Sequence, residues 1–139
     1  MNQPCTPISA NDIVILPCSG AGNVGQLTNE AGVALNREGF GKLYCLAGIG
    51  SGLAEFIAEA RKARILIAVD GCQLGCARLL LEKSDMPCTH HLVVTDLGIE
   101  KTIDLSPDPE LLQLVKDAIQ ACCAEAKPIV RLGGCMCGI

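Results

Sequence analysis

The chain has 139 residues, enough for one domain, and half of them are apolar, yet it contains no Trp, one Tyr and two Phe, so a core must be aliphatic. The formal charge of −4 and the lack of a long basic run argue against a nucleic-acid partner. No segment approaches the roughly 18 apolar residues of a membrane span, and the first residues lack the pattern of a signal peptide. We therefore expect a cytoplasmic protein without a membrane partner.

The cysteine content is high, with ten cysteines in the chain. Small secreted domains use such cysteines for disulfides, but a chain this rich in aliphatic residues can bury a core without them. In a reducing compartment the same content indicates metal binding or redox chemistry.

The first half of the chain contains two units in which a strand, a turn of small residues and a helix follow one another. A flexible tail over residues 1–11 is predicted to precede them. The predicted segments are, in chain order, a strand at 13–16, a turn at 17–25, a helix that ends at Gly39, a strand at 42–46, a turn at 47–52 and a helix at 53–62.

A third unit carries the most informative stretch of the chain. The unbroken apolar run Ile65–Val69 is typical of a strand that is covered on both faces. Asp70 ends this run, and Cys72 and Cys76 follow with a spacing that would place them on one face of the first turn of a helix. This helix is predicted to run to about Lys83. Its N-terminus favours thiolates, which are the form that binds metals and attacks electrophiles.

The fourth unit and the fold class follow from the same alternation of strands and helices. Residues 91–95 are predicted to form a strand, and Asp108 is predicted to cap a helix that ends near Cys122 and Cys123. We expect a small doubly wound α/β domain over residues 12–127, Rossmann-like or flavodoxin-like, with a mainly parallel sheet of about four strands. The expected strand order is 2-1-3-4, with helices on both faces. Residues 128–139 are predicted to form a C-terminal tail.

Three of the cysteines recur at a constant spacing. Cys18, Cys45 and Cys72 are 27 residues apart, each at or just past the end of a predicted strand. The carboxyl ends of parallel strands meet at one edge of a sheet, so these thiols and that of Cys76 are predicted to lie together. Such a set could hold zinc or an iron–sulfur cluster. It could equally form a metal-free redox or sulfur-handling site, with Cys72 as nucleophile and Cys76 as resolving thiol.

Four motifs resemble those of the DGC-domain family, which is named for an Asp-Gly-Cys motif. The resemblance covers roughly residues 12–120. It implies that Cys18, Cys45, Cys72 and Cys76 are the four cysteines thought to bind zinc in that family. The motifs are Pro17-Cys18-Ser19-Gly20-Ala21-Gly22-Asn23-Val24-Gly25-Gln26-Leu27, Cys45-Leu46-Ala47-Gly48-Ile49-Gly50, Asp70-Gly71-Cys72 with Cys76-Ala77, and Val94-Thr95-Asp96-Leu97-Gly98-Ile99 with Lys101.

Two loop motifs suggest other ligands. The segment Gly20–Gly25 fits the glycine pattern of a dinucleotide site, but the end of the second strand offers Cys45, Leu46 and Ala47 in place of the acidic residue that would hold the ribose. The alternative is that these glycines let the backbone pass close to Cys18. Cys72 and Arg78 have the spacing of a thiol phosphatase or arsenate reductase loop, in which backbone N–H groups cradle an oxyanion.

The remaining candidates concern single side chains and the tail. Asp70 is expected to accept a hydrogen bond from a turn N–H, or else to support or ligate the metal. The segment Cys88–His91 has the spacing of a ligand pair, although adjacent histidines on a strand point to opposite faces. Cys135 and Cys137 follow two glycines, so they form either a disordered end or a mobile dithiol that serves the main site.

Overall fold

The computed structural model describes the backbone of residues 7–132 and the side chains of residues 7–123. It contains four strands and five α-helices within that range. The strands are β1 (Ile13–Pro17), β2 (Lys42–Leu43), β3 (Ile65–Asp70) and β4 (His90–Val93). The helices are α1 (Asn23–Arg37), α2 (Leu46–Gly50), α3 (Ala54–Ala60), α4 (Cys76–Lys83) and α5 (Pro109–Leu132).

The strands form one parallel sheet in the order β2-β1-β3-β4, which confirms the predicted α/β class and strand order. The two central strands, β1 and β3, are buried along their whole length. Their pairing aligns Ile13 with Ile65 and Pro17 with Val69, so both strands end at the same edge of the sheet. That edge carries the turns in which the candidate thiols lie.

Side chains of successive strand residues point to opposite faces, and the core is accordingly divided into two layers. Ile13 and Ile15 of β1 pack with α1 and α5 on one face. Val14 and Leu16 pack on the other face with residues of α2, α3 and α4. Helices therefore cover both faces, as the apolar runs of β1 and β3 require.

Four predicted elements differ from the observed ones. The second strand, predicted at 42–46, is limited to Lys42–Leu43. The helix of the third unit begins at Cys76, so the prediction that Cys72 lies in its first turn is wrong. Part of the predicted turn at 47–52 is the short helix α2. The fourth strand ends at Val93 and continues as a 3-10 turn over Val94–Leu97 instead of reaching Thr95.

The predicted tails are described only in part. Ile8 packs against the core, and Ala10–Asp12 forms a 3-10 turn. Helix α5 continues to Leu132, so the expected domain boundary at residue 127 falls inside it. Cys135 and Cys137 lie outside the described residues. Within the described part of the chain, no helix is both long and apolar enough to cross a membrane.

Candidate metal centre

A cavity of about 730 Å³ opens at the carboxyl edge of the sheet. The thiols of Cys18, Cys45, Cys72 and Cys76 all line it, although they come from three separate turns. Cys18 and Cys72 are half-buried, whereas Cys45 and Cys76 are exposed. The structure thus gathers the four sequence-predicted cysteines in one place, as the parallel topology requires.

The four thiols share a cavity wall but do not meet at one point. Within residues 7–123, no group of three or more His, Cys, Asp or Glu side chains is close enough to hold a metal ion. The donor set itself suits zinc, which binds four thiolates in closed tetrahedral sites. The side chains would have to move toward one another to reach that geometry, so ligation stays a prediction.

Cys18 sits directly after β1 and is tied to the neighbouring strand. Its backbone N–H donates to the carbonyl of Val69 at 2.9 Å, and its Sγ accepts from the N–H of Gly71 at 3.2 Å. The buried hydroxyl of Thr28 lies within hydrogen-bonding distance of the carbonyls of Cys18 and Gly25. The turn therefore fixes the position of the Cys18 sulfur and directs a backbone donor at it.

Cys45 follows β2 and caps helix α2. Its Sγ accepts from the N–H of Gly48 at 3.3 Å, as a side-chain cap does at a helix N-terminus. Gly48 lies against the ring of Phe56, where an added Cβ would be 2.5 Å from a ring carbon. This close packing explains why position 48 is a glycine. The sulfur cap supports the start of the short helix α2 in this glycine-rich segment.

Cys72 lies in the turn between β3 and α4, beside a lysine from a distant segment. The Nζ of Lys101 lies 3.5 Å from the Sγ of Cys72 and can donate a hydrogen bond to it. Lys101 also lines the cavity. Sequence analysis included this lysine in a motif but assigned it no role, because nothing local links it to Cys72.

Asp70 fixes the start of helix α4 and hence the position of Cys76. The side chain is fully buried, and its carboxylate accepts from the N–H of Ala77 at 2.7 Å and that of Arg78 at 3.2 Å. The Nε2 of His91 lies 2.8 Å from the same carboxylate. Asp70 therefore satisfies backbone N–H groups, as expected, although they belong to the helix and not to the turn. His91 is a partner that sequence analysis missed.

The glycines of the first turn have a structural use. A Cβ at Gly25 would lie 2.6 Å from the backbone nitrogen of Gly20, and one at Gly71 would lie 2.8 Å from that of Gly25. Only glycine lets these three backbone segments approach so closely. This packing supports the interpretation that the glycines let the backbone pass beside Cys18.

Two alternatives from the sequence analysis remain, the oxyanion loop with Arg78 and the metal-ligand pair at Cys88–His91. In both, a key side chain has another partner. The guanidinium of Arg78 pairs with Glu82 one helical turn away. Cys88 donates to the carbonyl of His90 at 2.7 Å, and burial raises the pKa of the Cys88 thiol. A raised pKa favours the neutral thiol, which is a poor metal ligand.

Two comparisons place the chain among known proteins, and no solved structure matches it. The "Anaerobic and virulence modulator AnvM" of Pseudomonas aeruginosa is 33% identical over 88 residues, which are 63% of this chain and 67% of that protein. Residues 14–119 match the family model described as the DGC domain. Since this match spans more than half of the chain, the chain belongs to the DGC domain family.

Proposed function

We propose that this chain binds one zinc ion through the thiolates of Cys18, Cys45, Cys72 and Cys76, in a structural or a metal- or thiol-sensing role. The observation that carries the proposal is that four thiols from three separate turns line one cavity. Free cysteines that serve only as small core residues are buried, whereas two of these are exposed and two are half-buried.

The hydrogen bonds of the site support negative sulfurs. Backbone N–H groups of Gly71 and Gly48 donate to the sulfurs of Cys18 and Cys45. Donors of this kind favour thiolates, which are the ligands zinc requires. They also offset part of the formal charge of −2 that four thiolates and a divalent ion carry together.

Binding requires the four sulfurs to move closer together. Cys72 and Cys76 are separated by a short turn that includes Gly75 in the left-handed conformation, with φ of 67°. The side chain of Cys76 is exposed, so its rotation meets little packing resistance. Cys45 is also exposed, but its rotation would break the hydrogen bond that its sulfur accepts from Gly48. A bound zinc would link the three turns and shield their thiols from oxidation.

The test is metal content combined with cobalt substitution. Protein purified without added metal should carry about one zinc, and Co²⁺ should give the intense absorption of a tetrahedral thiolate site. Serine at any of the four positions should weaken binding, whereas Cys88→Ser, which changes a thiol outside the cavity, should not. Unchanged zinc content in all four variants would overturn the proposal. A brown protein that contains iron and sulfide would assign the same thiols to a cluster.

A second candidate is a thiol-dependent redox or sulfur-transfer enzyme, and the contact between Lys101 and Cys72 favours it. In such an enzyme Cys72, beside the Lys101 ammonium, would attack a disulfide of the substrate and release one substrate thiol. Cys76 would then displace the second substrate thiol, which leaves a Cys72–Cys76 disulfide and a reduced substrate. Peptide mass spectrometry after mild oxidation should then find a disulfide between Cys72 and Cys76. Full protection of both thiols by zinc would favour the first proposal.

A further inference from the structure

Lys101 places a cationic side chain on the wall of the thiol cavity, and the proposed zinc site does not by itself account for it. Its Nζ lies 3.5 Å from the Sγ of Cys72. Among the residues whose side chains the structure describes, no carboxylate forms an ion pair with this ammonium. The charge of Lys101 is therefore directed at sulfur and is not neutralised by an acidic neighbour.

A clamp formed by Asn23, the first residue of α1, holds the segment that carries Lys101. The Nδ2 of Asn23 donates to the carbonyl of Glu100 at 2.7 Å, and its Oδ1 accepts from the N–H of Thr102 at 2.6 Å. The backbone N–H of Asn23 donates to the carbonyl of Thr102 at 3.1 Å. These three hydrogen bonds hold the backbone on both sides of Lys101, so the clamp determines where the lysine side chain leaves the backbone.

The surroundings of the clamp keep the lysine close to the cavity. A Cβ at Gly22 would lie 3.2 Å from the carbonyl oxygen of Thr102 and 3.8 Å from Cε of Lys101. Glycine therefore leaves room for the lysine segment beside α1. On the other side, the buried side chain of Ile99 anchors the same segment in the core. The backbone position of Lys101 is thus set by contacts on both sides, while its side chain is exposed beside the cavity.

We infer that Lys101 offsets the negative charge of the loaded thiolate site and that Asn23 is the residue that positions it. This inference rests on the proposed zinc site, in which four thiolates and one divalent ion leave a formal charge of −2. An ammonium that donates to a ligating sulfur lowers the electrostatic cost of gathering those charges. Partners of this kind, which support a ligand without touching the metal, typically contribute about 10- to 100-fold to metal affinity.

The first test measures zinc affinity by competition with a chromophoric chelator. Lys101→Met should weaken zinc binding by about 10- to 100-fold. Lys101→Arg retains the positive charge and should recover most of this loss. Lys83→Met is the matched control, since it removes the same charge from an exposed position at the end of α4. Equal losses in Lys101→Met and Lys83→Met would show a general charge effect and would overturn the inference.

The second test examines the clamp by a double-mutant cycle. Asn23→Ala should weaken zinc binding in the wild-type background, but it should cause little further loss once Lys101 has been replaced by methionine. This result is expected only if Asn23 acts through the lysine. Losses that add in the double variant would mean that Asn23 supports the fold alone, and they would overturn its positioning role.

A third measurement separates failure of this inference from failure of the zinc site. In protein kept in excess chelator, the alkylation rate of Cys72 by the anionic reagent iodoacetate, followed by peptide mass spectrometry, should fall several-fold in Lys101→Met, because the ammonium attracts the reagent, while that of Cys88 stays constant. If the wild-type protein binds no zinc but this difference is observed, the zinc proposal fails and the lysine contact stands. Equal alkylation rates together with equal zinc affinities would overturn the role of Lys101.

Discussion

Replacing Asp70 by alanine should destabilise the fold and the thiol site together. The fully buried carboxylate of Asp70 accepts from the N–H groups of Ala77 and Arg78, which are the second and third residues of α4. These are the N–H groups that a helix cap usually satisfies, but Gly75, which precedes the helix, has no side chain to offer. Asp70 therefore caps α4 from the end of a neighbouring strand.

The magnitude follows from the contacts that are lost. Removing a helix cap typically costs about 1 kcal/mol, and leaving a buried donor without a partner costs about 1–3 kcal/mol more. Ala77 is fully buried, and the Nε2 of His91 also loses its partner at 2.8 Å. We expect a loss of about 2–4 kcal/mol in the free energy of unfolding, which for a domain of this size lowers Tm by on the order of 10 °C.

The assay is thermal and urea denaturation in the presence of a chelator, so that metal binding does not contribute to the measured stability. Asp70→Asn keeps one acceptor oxygen and should lose about half as much as Asp70→Ala. Asp96→Ala removes an exposed carboxylate from the same edge of the sheet and should change stability by less than about 0.5 kcal/mol. A comparably small loss for Asp70→Ala would refute the capping role. Zinc binding should also weaken in Asp70→Ala, because Cys76 begins the helix that Asp70 positions.

Three further predictions concern neighbouring residues. Burial raises the pKa of Cys88 above its ordinary value of 9.0, so the contribution of this thiol to stability is complete below about pH 9 and declines at higher pH. When thermal melts at alkaline pH are compared with melts at neutral pH, Cys88→Ala should therefore lose less stability than the wild type does. Gly71→Ala should cost about 1–3 kcal/mol in urea denaturation because its Cβ would meet the backbone of Gly25, whereas Gly20→Ala, with open space around it, should be nearly neutral. Thr28→Val should cost about 1 kcal/mol by the same measurement, and Thr28→Ser, which keeps the hydroxyl, should cost less.

The sequence was sufficient to predict the arrangement of the strands. The unbroken apolar run of β3 indicates a strand that is covered on both faces. The small-residue turns after β1 and β3 indicate that a helix follows each strand. Right-handed crossovers then bring the ends of these strands to one edge. Cys18 directly follows β1, Cys45 and Cys72 lie two residues past β2 and β3, and Cys76 begins α4. The topology alone therefore predicts that the four thiols lie at one edge of the sheet, and all four line one cavity.

The sequence did not reveal contacts that depend on long-range packing. The spacing of Cys72 and Cys76 fits a helix, but the carboxylate of Asp70 starts α4 four residues later than that spacing suggested. The pairing of Lys101 with Cys72 spans 29 residues and depends on a clamp at the start of α1. No local pattern encodes such pairs, because the hydrogen-bond partners belong to elements that meet only in the folded chain.

The hydrogen-bond donors to the candidate sulfurs are in place although the four thiols are not gathered around one point. Three of the candidate sulfurs accept from a donor of the described chain: Cys18 from Gly71, Cys45 from Gly48 and Cys72 from Lys101. These donors are in place even while the thiols are spread along a cavity of about 730 Å³. Gathering them around one ion brings thiolates closer together, so part of the binding free energy must offset their mutual repulsion. If the proposed zinc site forms, donors that remain bonded to the sulfurs during this movement reduce that repulsion, so they should raise the metal affinity.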